Sequence, residues 1–216
     1  MRFVWTPSSQ TGGCELTAHP EDYDGCPAPS ALRVDFTPRF SSPGRCAAAG
    51  VLAFGPFVSG SITFPQAISP ELSHAVSAFL GPRAVWPGPL DLRPKAIPRA
   101  DGTFVLGSPV DALPVQDQRQ DDRTTRLVLP SSGAEFGHTF GPGLVVLPTN
   151  AHLLTPDSTS PLRRLFPFLA AVVLVAEDIG VGTIMLPAQV QRDEIFVAAA
   201  ELLRSVGIRI AVPDAA

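Results

Sequence analysis

Charge is scarce in this chain, and lysine is almost missing. Only 17% of the 216 residues are charged, against about 25% in an ordinary soluble domain. Lys95 is the single lysine among 16 basic residues, and the arginines are scattered along the chain. With a net charge of −4, the sequence has no basic stripe of the kind that neutralises nucleic-acid phosphates. We therefore expect no nucleic-acid partner.

Long hydrophobic runs and paired cysteines are also lacking. The longest apolar run, residues 168–176, has nine residues, whereas a membrane-spanning helix needs about 20. Residues 1–7 contain no apolar segment typical of a secretory signal. Three cysteines cannot form a complete set of disulfides within one chain. We expect a soluble, cytoplasmic protein with reduced cysteines and no membrane contact.

Apolar residues and prolines are plentiful instead. Hydrophobic residues make up 45% of the chain, and there are 24 prolines. A chain of this size buries about 70% of the surface that its unfolded form exposes, so it can be stable without a disulfide or a structural metal. Because proline fixes φ and removes a backbone donor, the elements should be short and should often end at an X-Pro step.

The pattern divides the chain at residues 111–124, which are rich in Asp, Gln and Arg and almost without apolar content. We predict a β-rich half over residues 1–110 with one helix at 69–81, a polar loop or linker over 111–124, and an alternating α/β half over 125–216. Both halves could also belong to one domain. The predicted fold class is α/β, with a mixed, layered sheet.

In the first half, the composition of residues 1–30 is mostly typical of loops, and residues 32–36 alternate as a half-buried strand does. The apolar runs 47–54 and 58–64, separated by Gly-Pro, favour a broken strand or bulged hairpin. The segment 69–81 predicts a helix, because a serine N-cap, a proline at the first helical position, an apolar stripe and a terminal glycine follow one another.

In the second half, strands are predicted over 126–130, 144–148, 183–186 and 208–213, and a helix over 190–206. Residues 160–182 are ambiguous, and two interpretations compete. The apolar spacing suits one long helix, but Pro167 would cost about 3 kcal/mol in its interior. The β-branched run within 171–176 favours a helix that stops near Phe166, followed by a buried strand. We favour the strand.

Polar residues follow two of these predicted strands, and they form the candidate site. In parallel sheets ligands bind beyond the carboxyl ends of the strands. The candidate catalytic residues are His152 as a general acid or base, and Glu177 or Asp178 as a base or metal ligand. The candidate ligand-binding residues are Thr149, Asn150, Gly180, Gly182 and Thr183. In the structural alternative, Asn150 and Asp178 are ordinary turn and cap residues, and the glycines form a tight turn. The spacing of these glycines matches no phosphate-loop motif.

A second candidate is a metal site made from Cys14, His19, Cys26 and Cys46. Their residue types suit tetrahedral zinc, but the spacing lacks the C-x-x-C pair that marks such sites. Separate buried thiols are the favoured interpretation, so we predict no metal site, and no pattern in the sequence identifies a cofactor.

Two functional hypotheses follow. In the first, the protein binds a small polar metabolite, and could act on it as an enzyme, through the loops 149–152 and 177–183. In the second, it is a non-catalytic accessory or oligomeric subunit that works through protein–protein contacts, because low charge leaves apolar surface to cover. The first predicts a concave site, and the second predicts a stable oligomer.

Overall fold

The computed structural model describes residues 1–8, 12–40, 42–93, 96–97, 99–106, 124–132 and 137–213. Within them lie eleven strands and four α-helices, which confirms the α/β class. The strands are β1 (Arg2–Ser8), β2 (Gly13–His19), β3 (Ala31–Val34), β4 (Ser61–Ile68), β5 (Trp86–Leu90), β6 (Gly102–Leu106), β7 (Thr124–Val128), β8 (Thr139–Gly141), β9 (Leu144–Val146), β10 (Val181–Met185) and β11 (Arg209–Ala211). The helices are α1 (Pro43–Phe54), α2 (Pro70–Leu80), α3 (Pro161–Ile179) and α4 (Phe196–Arg204).

The strands form two mixed sheets. The first has the order β3-β2-β1-β4-β5, with the antiparallel β1–β2–β3 meander joined to a parallel β1–β4–β5 part. The second has the order β11-β10-β6-β7-β9-β8 and is parallel except for β8. Strand β6 thus pairs within the second sheet, although it precedes the polar stretch. Residues 111–123 of that stretch lie outside the described residues, so the division into halves stays a prediction.

The helices pack between strands of the two sheets. Helix α1 contacts both β4 and α3, while α2 contacts β5 and α4. Helices α3 and α4 in turn contact β10 and β11. Apolar side chains from both sheets and all four helices form one continuous core. The two sheets also meet directly at Thr149, which bridges to Val34 of β3 and to Ser131.

Helix starts and stops follow local rules. The Ser69 hydroxyl accepts a hydrogen bond from the Leu72 N–H at 3.2 Å, Pro70 opens α2, and Gly81 follows its last residue. This confirms the helix predicted at 69–81. Helix α3 starts in the same way at Ser160 and Pro161, and Gly180 ends it at φ 73°.

Helix α3 corrects the strand predicted at 171–176. It runs unbroken from Pro161 to Ile179, with Pro167 in its interior. The helix has twelve buried residues, eleven of which form the unbroken run 166–176. Burying a large apolar side chain contributes about 1.5–3 kcal/mol, so several of them together outweigh the ~3 kcal/mol cost of one interior proline. Because the run is buried on all sides, its sequence has no helical periodicity and therefore resembles that of a buried strand.

Two predictions in the first half are also wrong. Residues 47–54 lie in α1 and not in a broken strand, and every residue from Arg45 to Phe54 is buried. A Cβ on Gly50 would lie 2.9 Å from the ring of Phe3, so glycine lets α1 approach β1 closely. The loop predicted over residues 1–30 contains the β1–β2 hairpin, whose Cys14, Leu16 and Ala18 alternate inward.

None of the described helices combines the length and the hydropathy that crossing a bilayer requires.

Candidate functional site

Thr149 and Asn150, two of the predicted ligand-binding residues, are engaged inside the protein. The Asn150 Oδ1 accepts a hydrogen bond from the Arg33 N–H at 2.7 Å, and its Nδ2 donates to the Ala31 carbonyl at 2.8 Å. The Thr149 hydroxyl donates to the Arg33 carbonyl at 2.6 Å and accepts from the Ala151 N–H at 3.2 Å. Both residues are buried, so they attach the chain to β3.

His152 lies on the 3-10 turn Ala151–Leu154 that these bonds hold in place. Its side chain is exposed and lines an open cleft of about 500 Å³ together with Arg164 and Gln189. This cleft lies beside the first turns of α3. Among the described lining residues, Glu177 and Asp178 do not occur.

Asp178, in the last turn of α3, uses its carboxylate to bind backbone N–H groups. Its carboxylate accepts from the Arg39 N–H at 3.0 Å and from the Phe40 N–H at 3.4 Å. It therefore anchors the loop before α1. Glu177 lines a separate cavity of about 330 Å³. His152 and Glu177 are thus brought to different cavities, one at each end of α3.

The glycines after α3 are required by the backbone conformation and by close packing. Gly180 adopts the left-handed conformation that ends the helix, and its carbonyl accepts from the Gly102 N–H at 3.1 Å. A Cβ on Gly182 would overlap the carbonyl oxygen of Ala100, so only glycine fits where β10 passes this segment. Thr183 lies in β10 and pairs with β6 and β11. Gly180, Gly182 and Thr183 do not occur among the described lining residues of the Glu177 cavity.

The Glu177 cavity lies where several elements end. Ile68 marks the carboxyl end of β4, and Ser69 and Leu72 belong to the start of α2. Ser42 and Gly44 bring the start of α1 to the same space. Val206 and Ser205 come from the turn after α4. Phe40 and Ile97 also line the cavity and are 61% and 47% exposed.

A buried arginine is bonded to Val206, one of the lining residues of this cavity. Arg45 in the first turn of α1 is only 2% exposed, and its Nε donates to the carbonyl of Val206 at 3.3 Å. Burial lowers the pKa of the Arg45 guanidinium, and the negative charge of Glu177 acts in the opposite direction. Arg45 and Glu177 are therefore close enough for their opposite charges to attract each other.

The sequence interpretation missed Ser42, Gly44 and Arg45. A signal was present, because Ser42-Pro43 repeats the Ser-Pro pair that opens α2 and α3. The apolar residues after it hid that signal, since they read as a strand.

The proposed zinc ligands do not assemble. Cys14 and Cys46 are buried and Cys26 is exposed, and none of the three is in a disulfide. His19, the last residue of β2, is exposed. Across the ranges that the structure describes, no group of three or more His, Cys, Asp or Glu residues could hold a metal ion.

No family model, no curated protein and no solved structure matches this chain.

Proposed function

We propose that this protein binds a small metabolite in the cavity lined by Glu177, Ser42 and Ser69. The observation that carries the proposal is the position of this space, at the carboxyl end of a strand in a parallel array and beside the first turns of two helices. Ligands of α/β proteins bind at such strand ends. A volume of about 330 Å³ suits a small ligand.

The lining indicates the chemistry of the ligand. Leu72, Val206 and Ile97 provide apolar walls, which favour a ligand with a hydrocarbon portion. Ser42, Ser69 and Ser205 bring hydroxyl groups, and the Ser205 hydroxyl already donates to the Leu202 carbonyl at 2.7 Å. Glu177 is the ionisable side chain among the described lining residues, and an ionised carboxylate accepts hydrogen bonds. We expect a ligand with an amine or hydroxyl donor facing Glu177.

In an enzymatic form of this proposal, Glu177 takes up a proton from the ligand. A general base needs only to lie within hydrogen-bond reach of that proton. Ser42 and Ser69 then orient the ligand.

The test is a ligand-observed NMR screen of small amines and polyols. Ala67 lines the cavity, so Ala67→Phe should fill it and abolish the binding of the hits. Glu177→Gln keeps the shape and should weaken amine hits by about tenfold, because a charged hydrogen bond is replaced by a neutral one. His152→Gln, at the other end of α3, is the control and should bind normally. Unchanged affinity in folded Ala67→Phe protein would contradict the proposal.

We also propose a cytoplasmic location, which is supported by three cysteines that form no disulfide, because reduced cysteines are usual there. Cell fractionation with antibody detection tests it, and recovery in a secreted fraction would contradict it.

The accessory-subunit hypothesis is supported by a different surface. Trp86, Leu90 and Leu92 are 70%, 49% and 79% exposed, along β5 at the edge of the first sheet and just after it. Such apolar surface can mark a protein contact. Light scattering at increasing concentration tests whether copies associate, with Leu92→Glu expected to reduce any oligomer. A monomer at all concentrations would argue against self-association.

A further inference from the structure

We propose that the open cleft beside the first turns of α3 binds an organic anion, independently of the Glu177 cavity. The cleft has a volume of about 500 Å³, and its polar lining residues include His152, Arg164 and Gln189. Among its described lining residues none is acidic. The chemical class that fits is a carboxylate or a phosphate monoester on an apolar body.

The hydrogen-bond donors of this cleft are available to a ligand. Arg164 and Gln189 are exposed, as is His152. Within the described part of the chain, the Arg164 guanidinium has no ion-pair partner, and the His152 and Gln189 side chains have no hydrogen-bond partner. A guanidinium offers two parallel N–H groups, which match the two oxygens of a carboxylate or phosphate.

Asp193, which follows the turn that carries Gln189, caps the start of α3. Asp193 accepts hydrogen bonds from the Ser160 hydroxyl and from the N–H groups of Leu162 and Ile195, the latter two at 3.3 Å. The Arg163 N–H is bonded to the Ser160 hydroxyl at 3.1 Å. Because these first-turn amides are already bonded, the anion preference of the cleft comes from its side chains and not from the helix terminus.

The donors stand on elements that are fixed independently. His152 belongs to the turn that Asn150 attaches to β3. Arg164 lies in α3, and Gln189 lies on the 3-10 turn Ala188–Arg192, whose Val190 is 1% exposed. The floor is apolar, with Phe168 only 7% exposed. This arrangement favours a ligand whose charged group meets Arg164 while its ring or chain lies on the floor.

The experiment compares four small probes of similar shape by isothermal titration: phenyl phosphate, benzoate, benzyl alcohol and benzylamine. We expect phenyl phosphate and benzoate to bind with dissociation constants of about 1 mM or tighter. The neutral alcohol should bind at least about tenfold more weakly, and the amine should not bind. Added salt should weaken both anions.

Matched arginine variants decide whether the cleft is responsible. Arg164→Gln should weaken phenyl phosphate by about tenfold or more. Arg163, the next residue, lines a different cleft with Phe57 and Leu153, so Arg163→Gln should change the affinity by less than about twofold. Equal losses in both variants would show a diffuse electrostatic effect and overturn the proposal, as would no binding of either anion or equal binding of benzylamine.

Variants in the Glu177 cavity distinguish this proposal from the proposed function. Arg164 and Glu177 are separated along α3 by about 20 Å, at a rise of ~1.5 Å per residue. Ala67→Phe and Glu177→Gln should therefore leave phenyl phosphate binding unchanged, even if the Glu177 cavity proves to bind nothing. Loss of phenyl phosphate binding in Ala67→Phe would place the anion in the other cavity and overturn this proposal.

Discussion

The side-chain oxygen of Asn150 accepts a 2.7 Å hydrogen bond from the backbone N–H of Arg33, which lies 117 residues earlier in the chain. The same side chain donates to the Ala31 carbonyl, so one amide satisfies two backbone groups of the edge strand β3. Thr149 adds a bridge to Val34. These contacts join the two sheets and fix the turn that presents His152.

Replacement of Asn150 tests this attachment. Asn150→Ala leaves a part-buried N–H and a buried carbonyl of β3 without their partner, and an orphaned buried group costs about 1–3 kcal/mol. We expect the free energy of unfolding in urea to fall by about 2–4 kcal/mol. His152→Ala, two residues away and exposed, is the control and should change it by less than about 0.5 kcal/mol. Similar values for both variants would show that the amide has no special role.

The two glycines after α3 should respond differently to substitution. Gly182→Ala forces a Cβ against the Ala100 carbonyl and should destabilise the protein by about 3 kcal/mol. Gly180 needs only a positive φ, which asparagine tolerates, so Gly180→Asn should cost about 1 kcal/mol. Thermal and urea unfolding measure both. If Gly180→Asn proved the more damaging, close packing at Gly182 would not be the reason for glycine there.

The cysteines should differ in reactivity. Burial, together with the neighbouring Cys46, raises the pKa of the Cys14 thiol well above its ordinary value, and only a thiolate reacts rapidly. Cys26 is exposed. With a thiol-specific chromophore at pH 8, we expect one fast equivalent in the native protein and three after denaturation. Cys26→Ser should remove the fast phase. Rapid labelling that persists in Cys26→Ser would contradict the burial of Cys14.

Glu15 and Arg33 should make a small, pH-dependent contribution to stability. Partial burial would raise the pKa of Glu15, but hydrogen bonds from Arg33 at 2.6 Å and Thr17 at 2.9 Å, with the Arg33 charge, lower it below its ordinary value. The stabilisation is therefore present at neutral pH and is lost as the pH falls from about 5 to 3. Because both side chains are partly exposed, it should not exceed about 1 kcal/mol.

Unfolding of the wild type and of Glu15→Gln at several pH values measures this contribution. The wild type should be the more stable at pH 7, and the difference should shrink towards pH 3. A difference that stays constant across this range would mean that the charge of Glu15 is not involved.

Residue chemistry alone predicted where α2 begins and ends. A serine hydroxyl bonds an N–H three residues later, proline is favoured at the first helical position, and glycine adopts a positive φ cheaply; each effect depends on immediate neighbours. The strands in the second half were predicted for a related reason, since their apolar runs are short and bounded by turn residues. The β1–β2 hairpin was missed because its inward residues include Cys14 and Ala18, which are weak hydrophobic signals.

The sequence by itself determined the α/β class and the ends of α2, because those depend on local backbone chemistry and on apolar patterning. Tertiary structure decided the conformation of residues 47–54 and 171–176, since a run that is buried on all sides has no periodicity to distinguish helix from strand. It also decided what the candidate site residues do. Asn150, Thr149 and Asp178 have partners more than 100 residues away, and no local pattern reveals such contacts. Only the fold shows that Glu177 and His152 line different cavities.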